Sequence, residues 1–207
     1  MPYRLFLVLI GVCAAAVAVA ADEQHLLRLS FRPASSNQAS KSAEPLVLSA
    51  CRGVGKFESE CISTLQSASK SQKTDANGLA FFALKYVEDH AANLTMDIAK
   101  AGTIPNLDPM FQAALSECMD QYTPLGDLIE DAINAVLANA YGDAKTFIDA
   151  TISNIDVCDT KLRSSSNSHG KTAPDVQLAA NMNGYNCFLK SLLSAANNVI
   201  NSPSKSH

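Results

Sequence analysis

The chain has 207 residues and a formal net charge of −4 at pH 7, from 16 Lys and Arg against 20 Asp and Glu. Its basic residues are not clustered, so it lacks the charge pattern of a nucleic-acid-binding protein and would be repelled by an anionic membrane. Apolar residues make up 47% of the chain, whereas aromatic residues make up only 6% and Trp is absent. A core of Ala, Leu and Ile suits closely packed helices better than a β-sandwich.

The first 20 residues have the features of a secretory signal. Arg4 precedes a continuous apolar run, and Ala18-Val19-Ala20 forms a small-residue cleavage site. A membrane anchor is the alternative, but the run has about the minimum length for a span and lacks a basic stop-transfer flank. No later segment is apolar for long enough to cross a bilayer. We therefore expect a removed signal over 1–20, a mobile lead-in over 21–43 with at most a short ordered piece at 25–31, and one helical domain over 44–207.

Four long segments repeat apolar residues in steps of three and four, which is the period of an amphipathic helix. The first ends at Gly102, and the second extends to Ala140. The four predicted helices begin near Asp75, at Asp108-Pro109, at Asp143 and at Pro174-Asp175. Chain reversals are expected at the loop residues Gly102, Pro105, Gly142, Gly170 and Pro174.

Two features modify this helical pattern. Pro124 and Gly126 lie inside the second predicted helix, and a proline there removes a backbone donor, so we expect a kink. Residues 44–69 indicate two short helical turns around a glycine-containing bend. The sequence therefore predicts an all-α fold, an antiparallel four-helix bundle with an N-terminal helical hairpin extension.

Four of the cysteines are predicted to form two disulfides, the default state for exported cysteines. Cys118 and Cys158 lie on the apolar faces of two neighbouring antiparallel helices, where their backbones come within bridging reach. Cys51 and Cys61 then pair locally across the bend. From loop-closure entropy, a disulfide that closes a loop of about 41 residues stabilises the fold by about 3.9 kcal/mol, and one that closes about 11 residues by about 2.8 kcal/mol.

Cys13 leaves with the signal, so Cys187 remains unpaired, as a free thiol against small side chains or as a bridge to a partner chain. The Cys51–Cys61 spacing could also belong to a metal site or a redox pair. Both are disfavoured because the sequence has no CxxC motif and its four histidines, at 25, 90, 169 and 207, are scattered. No metal and no other cofactor is expected.

The sequence contains no catalytic motif of the hydrolase, metalloprotease or phosphate-loop type. The carboxylates of Asp127, Glu130 and Asp131 are expected on a solvated helix face. Asn93-Leu94-Thr95 is an acceptor sequence for N-glycosylation, and in an exported chain Asn93 is a candidate glycosylation site. No enzyme activity is predicted.

The cysteine pattern resembles that of the plant invertase and pectin methylesterase inhibitor family over residues 46–200. The matching residues are the C-x9-C pair followed by Leu65 in CISTL, the Gly78-Leu79 helix start, Cys118-x3-Tyr122 in ALSECMDQY followed by Leu128 and Ala132, and the run GDAKTFIDATISNIDVC that ends at Cys158.

The resemblance implies a secreted protein inhibitor that forms a one-to-one complex with a carbohydrate-active plant enzyme in the cell-wall space or the vacuole. Inhibitors of pectin methylesterase lay their bundle helices across the pectin groove. Inhibitors of invertase use a Pro-Lys-Phe element near the start of the third helix. Here that position reads Ala144-Lys145-Thr146-Phe147, without the proline. This difference favours pectin methylesterase over invertase as the target.

The target-contact residues are expected on the outer faces of the second and third helices, at Asp127, Asp131, Lys145 and Phe147. Two other functions remain open at this stage. One is a carrier of a small molecule or lipid, which would need an internal cavity. The other is a secreted interaction protein that keeps the scaffold without inhibiting either enzyme.

Overall fold

The structure, a computed structural model, describes residues 43–166 and 173–201. Three predictions lie outside the described residues: the signal over 1–20, the short ordered piece at 25–31 and all of the lead-in except residue 43. The described part is helical and has no β-strand, which confirms the all-α class. Its elements are α1 (Pro45–Cys51), a 3-10 turn (Gly55–Phe57), α2 (Glu58–Gln66), α3 (Lys70–Thr74), α4 (Ala76–Ala101), α5 (Pro109–Tyr122), α6 (Leu125–Leu137), α7 (Tyr141–Ser166) and α8 (Ala173–Ile200).

The predicted N-terminal helical hairpin is formed by α1 and α2. The bend between them contains Gly53 and Gly55, both at positive φ (77° and 87°), a conformation that glycine adopts without steric cost. The hairpin is held against the end of α8, where the Asn198 amide donates a hydrogen bond to the Ala50 carbonyl (2.9 Å). The short helix α3, which the sequence pattern did not indicate, follows the hairpin.

Aspartate caps fix the start of the first two long helices. The Asp75 carboxylate accepts a hydrogen bond from the Gly78 amide (2.6 Å), and Asp108 caps α5 by accepting from two amides of its first turn. A Cβ atom at Gly78 would lie only 2.9 Å from the Cα of Gln72, so glycine permits the close approach of α3 and α4. Both helices begin where the sequence predicted.

The second predicted helix is two helices, α5 and α6, so the expectation of one kinked helix was wrong. Pro124 has no N–H and cannot donate the next intrahelical hydrogen bond, so it separates the last hydrogen bond of α5 from the first of α6. The Thr123 amide still donates to Met119 (2.9 Å), and the Leu128 amide begins the next helix by donating to Pro124 (3.1 Å). The chain therefore breaks at this point and resumes as α6.

The reversal between α6 and α7 is made at Asn139, and not at Gly142 as predicted. Asn139 has a left-handed φ of 58°, and the Ala140 amide donates to the Ala135 carbonyl (2.8 Å), which closes the helix end. The helix α7 consequently begins at Tyr141, two residues before the predicted start, and Gly142 lies inside it.

The long helices form an antiparallel bundle, in which α4, the α5–α6 pair, α7 and α8 are the four members. Successive contacts between two neighbouring helices run in opposite directions along the chain. The contacts that fix these directions are Asn77–Asn139 for α4 and α6, Glu117–Lys161 with Cys118–Cys158 for α5 and α7, Asp149–Asn197 with Asp156–Lys190 for α7 and α8, and Tyr86–Phe188 with His90–Tyr185 for α4 and α8.

Candidate functional site

The two predicted disulfides are present in the structure. Cys118 and Cys158 join α5 to α7 with a Cα–Cα distance of 4.6 Å, and Cys51 and Cys61 join α1 to α2 at 5.8 Å. All four residues are fully buried. Cys187 is unpaired and half-buried on α8. The Cys118–Cys158 bridge fixes the spacing of α5 and α7, and α7 carries two of the predicted target contacts, Lys145 and Phe147.

A buried polar network lies beside the Cys118–Cys158 bridge, and the sequence reasoning did not identify it. Asp159 and Asn186 are both fully buried, and the Asn186 amide donates to the Asp159 carboxylate (2.7 Å). The Tyr122 hydroxyl donates to the Asn186 side-chain oxygen. From the rim, the Lys190 ammonium donates to Asp159 (2.7 Å) and to Asp156 (2.6 Å). The network thus ties α5, α7 and α8 together.

The environment of this network fixes the protonation states of Tyr122 and Lys190. Burial raises the pKa of the Tyr122 hydroxyl well above its usual value, and the nearby Asp159 and Tyr185 raise it further. Burial acts to lower the pKa of the Lys190 ammonium, but hydrogen bonds to Asp156 and Asp159 outweigh this effect and raise it. Tyr122 is therefore neutral and Lys190 charged at neutral pH.

Sequence signals for the network exist in retrospect. Asp159 directly follows Cys158 within the apolar spacing of α7, and Asn186 precedes Cys187 on α8. A polar residue on a buried helix face needs a hydrogen-bond partner. The sequence could identify these residues as candidates, but it could not show that they meet each other.

The exposed face of the α5–α6 pair is acidic. Asp120 on α5 and Asp127, Glu130 and Asp131 on α6 are all exposed. Among the described residues, no cation lies within ion-pair distance of Asp120, Asp127 or Asp131. We call the four exposed carboxylates the acidic face. Three of them, Asp120, Asp127 and Asp131, are therefore free to interact with another molecule, whereas Glu130 lies in the field of the Lys85 ammonium. Asp127 and Asp131 were predicted as target contacts, and both lie on the acidic face.

The two predicted contacts on α7 are less available. Lys145 is exposed, but its ammonium forms an ion pair with Asp149 one turn along the same helix. Phe147 is half-buried and packs against the bundle core, and Ala144 is fully buried. The structure therefore does not bring Phe147 onto an exposed surface together with Asp127 and Asp131, because its ring completes the packing of α7.

A second feature that the sequence did not reveal is a cluster of rings between α4, α8 and the N-terminal hairpin. Tyr86 stacks on His90 with ring centroids 3.9 Å apart, and His90 faces Tyr185 at 6.2 Å. Phe188 packs edge-on against Tyr86 and against Phe57, at 6.1 and 6.3 Å. We call these five residues the aromatic cluster. All but Phe188 are half-buried, so the cluster reaches the molecular surface.

Metal and membrane features are absent from the described residues. No group of three or more His, Cys, Asp or Glu side chains in residues 43–166 and 173–201 is arranged to hold a metal ion. Within the same ranges, no helix combines the length and apolar character that a membrane span requires.

The geometry is thus a disulfide-linked helical bundle with an acidic exposed face, and the family model for plant invertase/pectin methylesterase inhibitors matches it over residues 45–198. The chain belongs to this family. Members of the family are enzyme inhibitors and not enzymes, and they are typically extracellular. Membership therefore makes this chain an inhibitor-type protein directed at pectin methylesterase or invertase.

Two solved structures are similar to this chain, and the first shares its fold. A mutant form of a pectin methylesterase inhibitor from Arabidopsis matches with a TM-score of 0.55 and 17% identity, over 71% of this chain and 90% of that chain. A pectin methylesterase inhibitor from Arabidopsis thaliana matches with a TM-score of 0.46 and 16% identity, over 66% and 86% of the two chains. No curated protein matches the chain. At this identity the first likeness establishes the helical bundle alone.

Proposed function

We propose that the chain is an exported inhibitor of pectin methylesterase that forms a one-to-one complex and covers the substrate cleft. The observation that carries the choice of target is the acidic face. Pectin methylesterase removes methyl groups from a polymer of uronic acids, so its cleft must accommodate a chain of carboxylates. Exposed carboxylates on a rigid bundle offer such a cleft the same charge as its product.

Invertase acts on a neutral sugar, so its cleft does not need to accept a polyanion. The stretch that corresponds to the Pro-Lys-Phe element of invertase inhibitors lies here inside α7. Its Lys145 is paired with Asp149, and its Phe147 packs on the core. Both features support pectin methylesterase as the target.

The place of action in this proposal is the cell-wall space, reached after removal of the signal over 1–20. One bundle binds one enzyme molecule through the outer faces of α5, α6 and α7. The Cys118–Cys158 disulfide holds α5 against α7 before binding, which reduces the entropy lost on association. The proposal requires neither a metal nor a cofactor.

The test is a titration of plant pectin methylesterase and of cell-wall invertase with the purified chain from residue 21, at acidic pH and low salt. We expect the esterase activity to fall at near-stoichiometric inhibitor while the invertase activity stays unchanged. The double variant Asp127→Lys, Asp131→Lys should raise the concentration for half-inhibition about tenfold or more, because both charges are reversed at the contact.

Asp89→Lys, an exposed carboxylate of α4, is the matched control and should inhibit like wild type. Loss of invertase activity instead of esterase activity would transfer the proposal to invertase. If neither activity falls while the chain is helical and oxidised, the inhibitor proposal is wrong.

A further inference from the structure

The acceptor sequence Asn93-Leu94-Thr95 lies on α4 directly beside the aromatic cluster. Asn93 is exposed, whereas Leu94 is buried in the core with 1% of its surface accessible. Asn93 follows His90 by three residues and Tyr86 by seven. On an α-helix these separations place the residues within about 60° and 20° of one another around the axis, and about 4.5 and 10.5 Å apart along it.

The direction of the Asn93 side chain strengthens this placement. Side chains on a helix point back toward its N-terminus, so each covers the surface over the preceding turn. For Asn93 the preceding turn contains His90, and Tyr86 lies one turn further. A group attached to the Asn93 amide therefore begins its path toward the aromatic cluster.

We propose that Asn93 is N-glycosylated during export and that the first sugars of the glycan cover the aromatic cluster. In the transfer step, the Asn93 amide nitrogen attacks the first carbon of the reducing-end sugar of a lipid-diphosphate-linked oligosaccharide. A carbon–nitrogen bond forms, the bond from that carbon to the diphosphate oxygen breaks, the lipid diphosphate leaves and the amide loses one proton. This proposal depends on export and is independent of which enzyme the chain inhibits.

The cluster has the chemistry that a sugar requires. A pyranose ring presents a face of C–H groups that packs on an aromatic face, while its hydroxyls remain hydrated at the edge. The His90 Nδ1–H donates to the Tyr86 backbone carbonyl (2.8 Å), so this ring is held in place before a sugar arrives. Covering half-buried rings removes apolar surface from water, which stabilises the folded, glycosylated chain.

Occupancy is tested on the full chain secreted from plant cells, by mass spectrometry of the tryptic peptide that spans residues 86–100. We expect the wild type and Thr95→Ser to carry a glycan on Asn93, and Thr95→Ala to carry none, because only a hydroxyl residue two positions on completes the acceptor sequence. An unmodified Asn93 in the secreted wild-type chain would overturn the proposal.

Coverage is tested by fluorescence, since the chain has no Trp of its own. Tyr86→Trp, or Tyr185→Trp if the first variant does not fold, introduces a single indole into the aromatic cluster. We expect acrylamide to quench this indole about twofold less in the glycosylated chain than in the same chain carrying Asn93→Gln. Phe147→Trp, half-buried on α7, a helix that contributes no residue to the aromatic cluster, is the matched control and should be quenched equally in both forms.

Equal quenching of the cluster indole with and without the glycan would overturn the coverage. Protection that appears only at high protein concentration, with or without the glycan, would assign the cluster to a contact with a second copy and would likewise overturn it.

Discussion

Replacing Lys190 by Met tests whether the buried polar network is an energetic unit. The change removes the ammonium that balances Asp159, a carboxylate with no exposed surface, and leaves it with the hydrogen bond from the Asn186 amide. Breaking a buried charge pair from one side costs about 3–5 kcal/mol. The Lys190 side chain is 21% exposed, so water relieves part of the cost, and we expect the free energy of unfolding to fall by about 3 kcal/mol.

The assay is urea unfolding at pH 7, followed by circular dichroism of the helices, with the free energy and its denaturant slope fitted together. Lys145→Met is the matched control, because it removes an ion pair whose side chains are 50% and 49% exposed. Exposed pairs of this kind contribute about 0.5 kcal/mol or less. A loss for Lys190→Met no larger than that for Lys145→Met would refute the reasoning.

A second variant separates lost charge balance from lost packing. Adding Asp159→Asn to Lys190→Met replaces the unpaired carboxylate by a neutral amide of similar shape. If the uncompensated charge causes the loss, the double variant should recover about half of it or more. No recovery would mean that Lys190→Met acts through packing of its aliphatic stem.

The remaining predictions concern pH, the interhelical bridge and a helix cap. Because the pKa of Tyr122 is raised in the folded state, its stabilisation is complete below the usual value of 10.0 and is lost as pH rises above it. Tyr122→Phe should therefore lower the free energy of unfolding by about 1–2 kcal/mol at pH 7, since the Asn186 oxygen loses its donor. The variant should also show a shallower decline of the free energy of unfolding from pH 10 to about 12 than the wild type. Equal slopes for both proteins would contradict this. Replacing Cys118 and Cys158 together by Ser should cost about 3.9 kcal/mol in urea unfolding, and a loss below about 1 kcal/mol would show that the bridge does not constrain the unfolded chain. Asp108→Ala should cost about 1 kcal/mol through loss of the α5 cap, whereas Asp108→Asn should cost far less; equal losses would contradict capping as the cause.

The helical class could be predicted from the sequence because it depends on near-neighbour spacing, and the Cys118–Cys158 pairing followed from the helix faces on which the two cysteines lie. Steps of three and four place Phe111, Leu115 and Cys118 on one face of a helix whatever lies opposite. The caps at Asp75 and Asp108 likewise act on amides within their own first turns. Local signals of this kind do not depend on the rest of the chain.

Local signals were ambiguous at two places in the fold. Pro124 predicts an interruption of the helix, but whether the helix kinks or breaks there depends on how α6 packs against α7. The reversal before α7 could have been made by Gly142 or by Asn139, since both residues accept left-handed geometry. Helix packing sets where α6 ends, so the reversal is made at Asn139.

The sequence by itself thus determined the helices and their apolar faces, which periodicity encodes locally. It also determined the two disulfides, because one pair lies on the apolar faces of neighbouring helices and the other pair lies close together in the chain. Only the tertiary structure decided that Asp159 meets Asn186 and Lys190, that Phe147 packs against the core, and that the aromatic cluster lies beside Asn93. These residues are far apart in the chain, and the faces that bring them together are set by how the helices rotate and slide against one another. That choice minimises exposed apolar surface over the whole bundle and leaves no signature in any single segment.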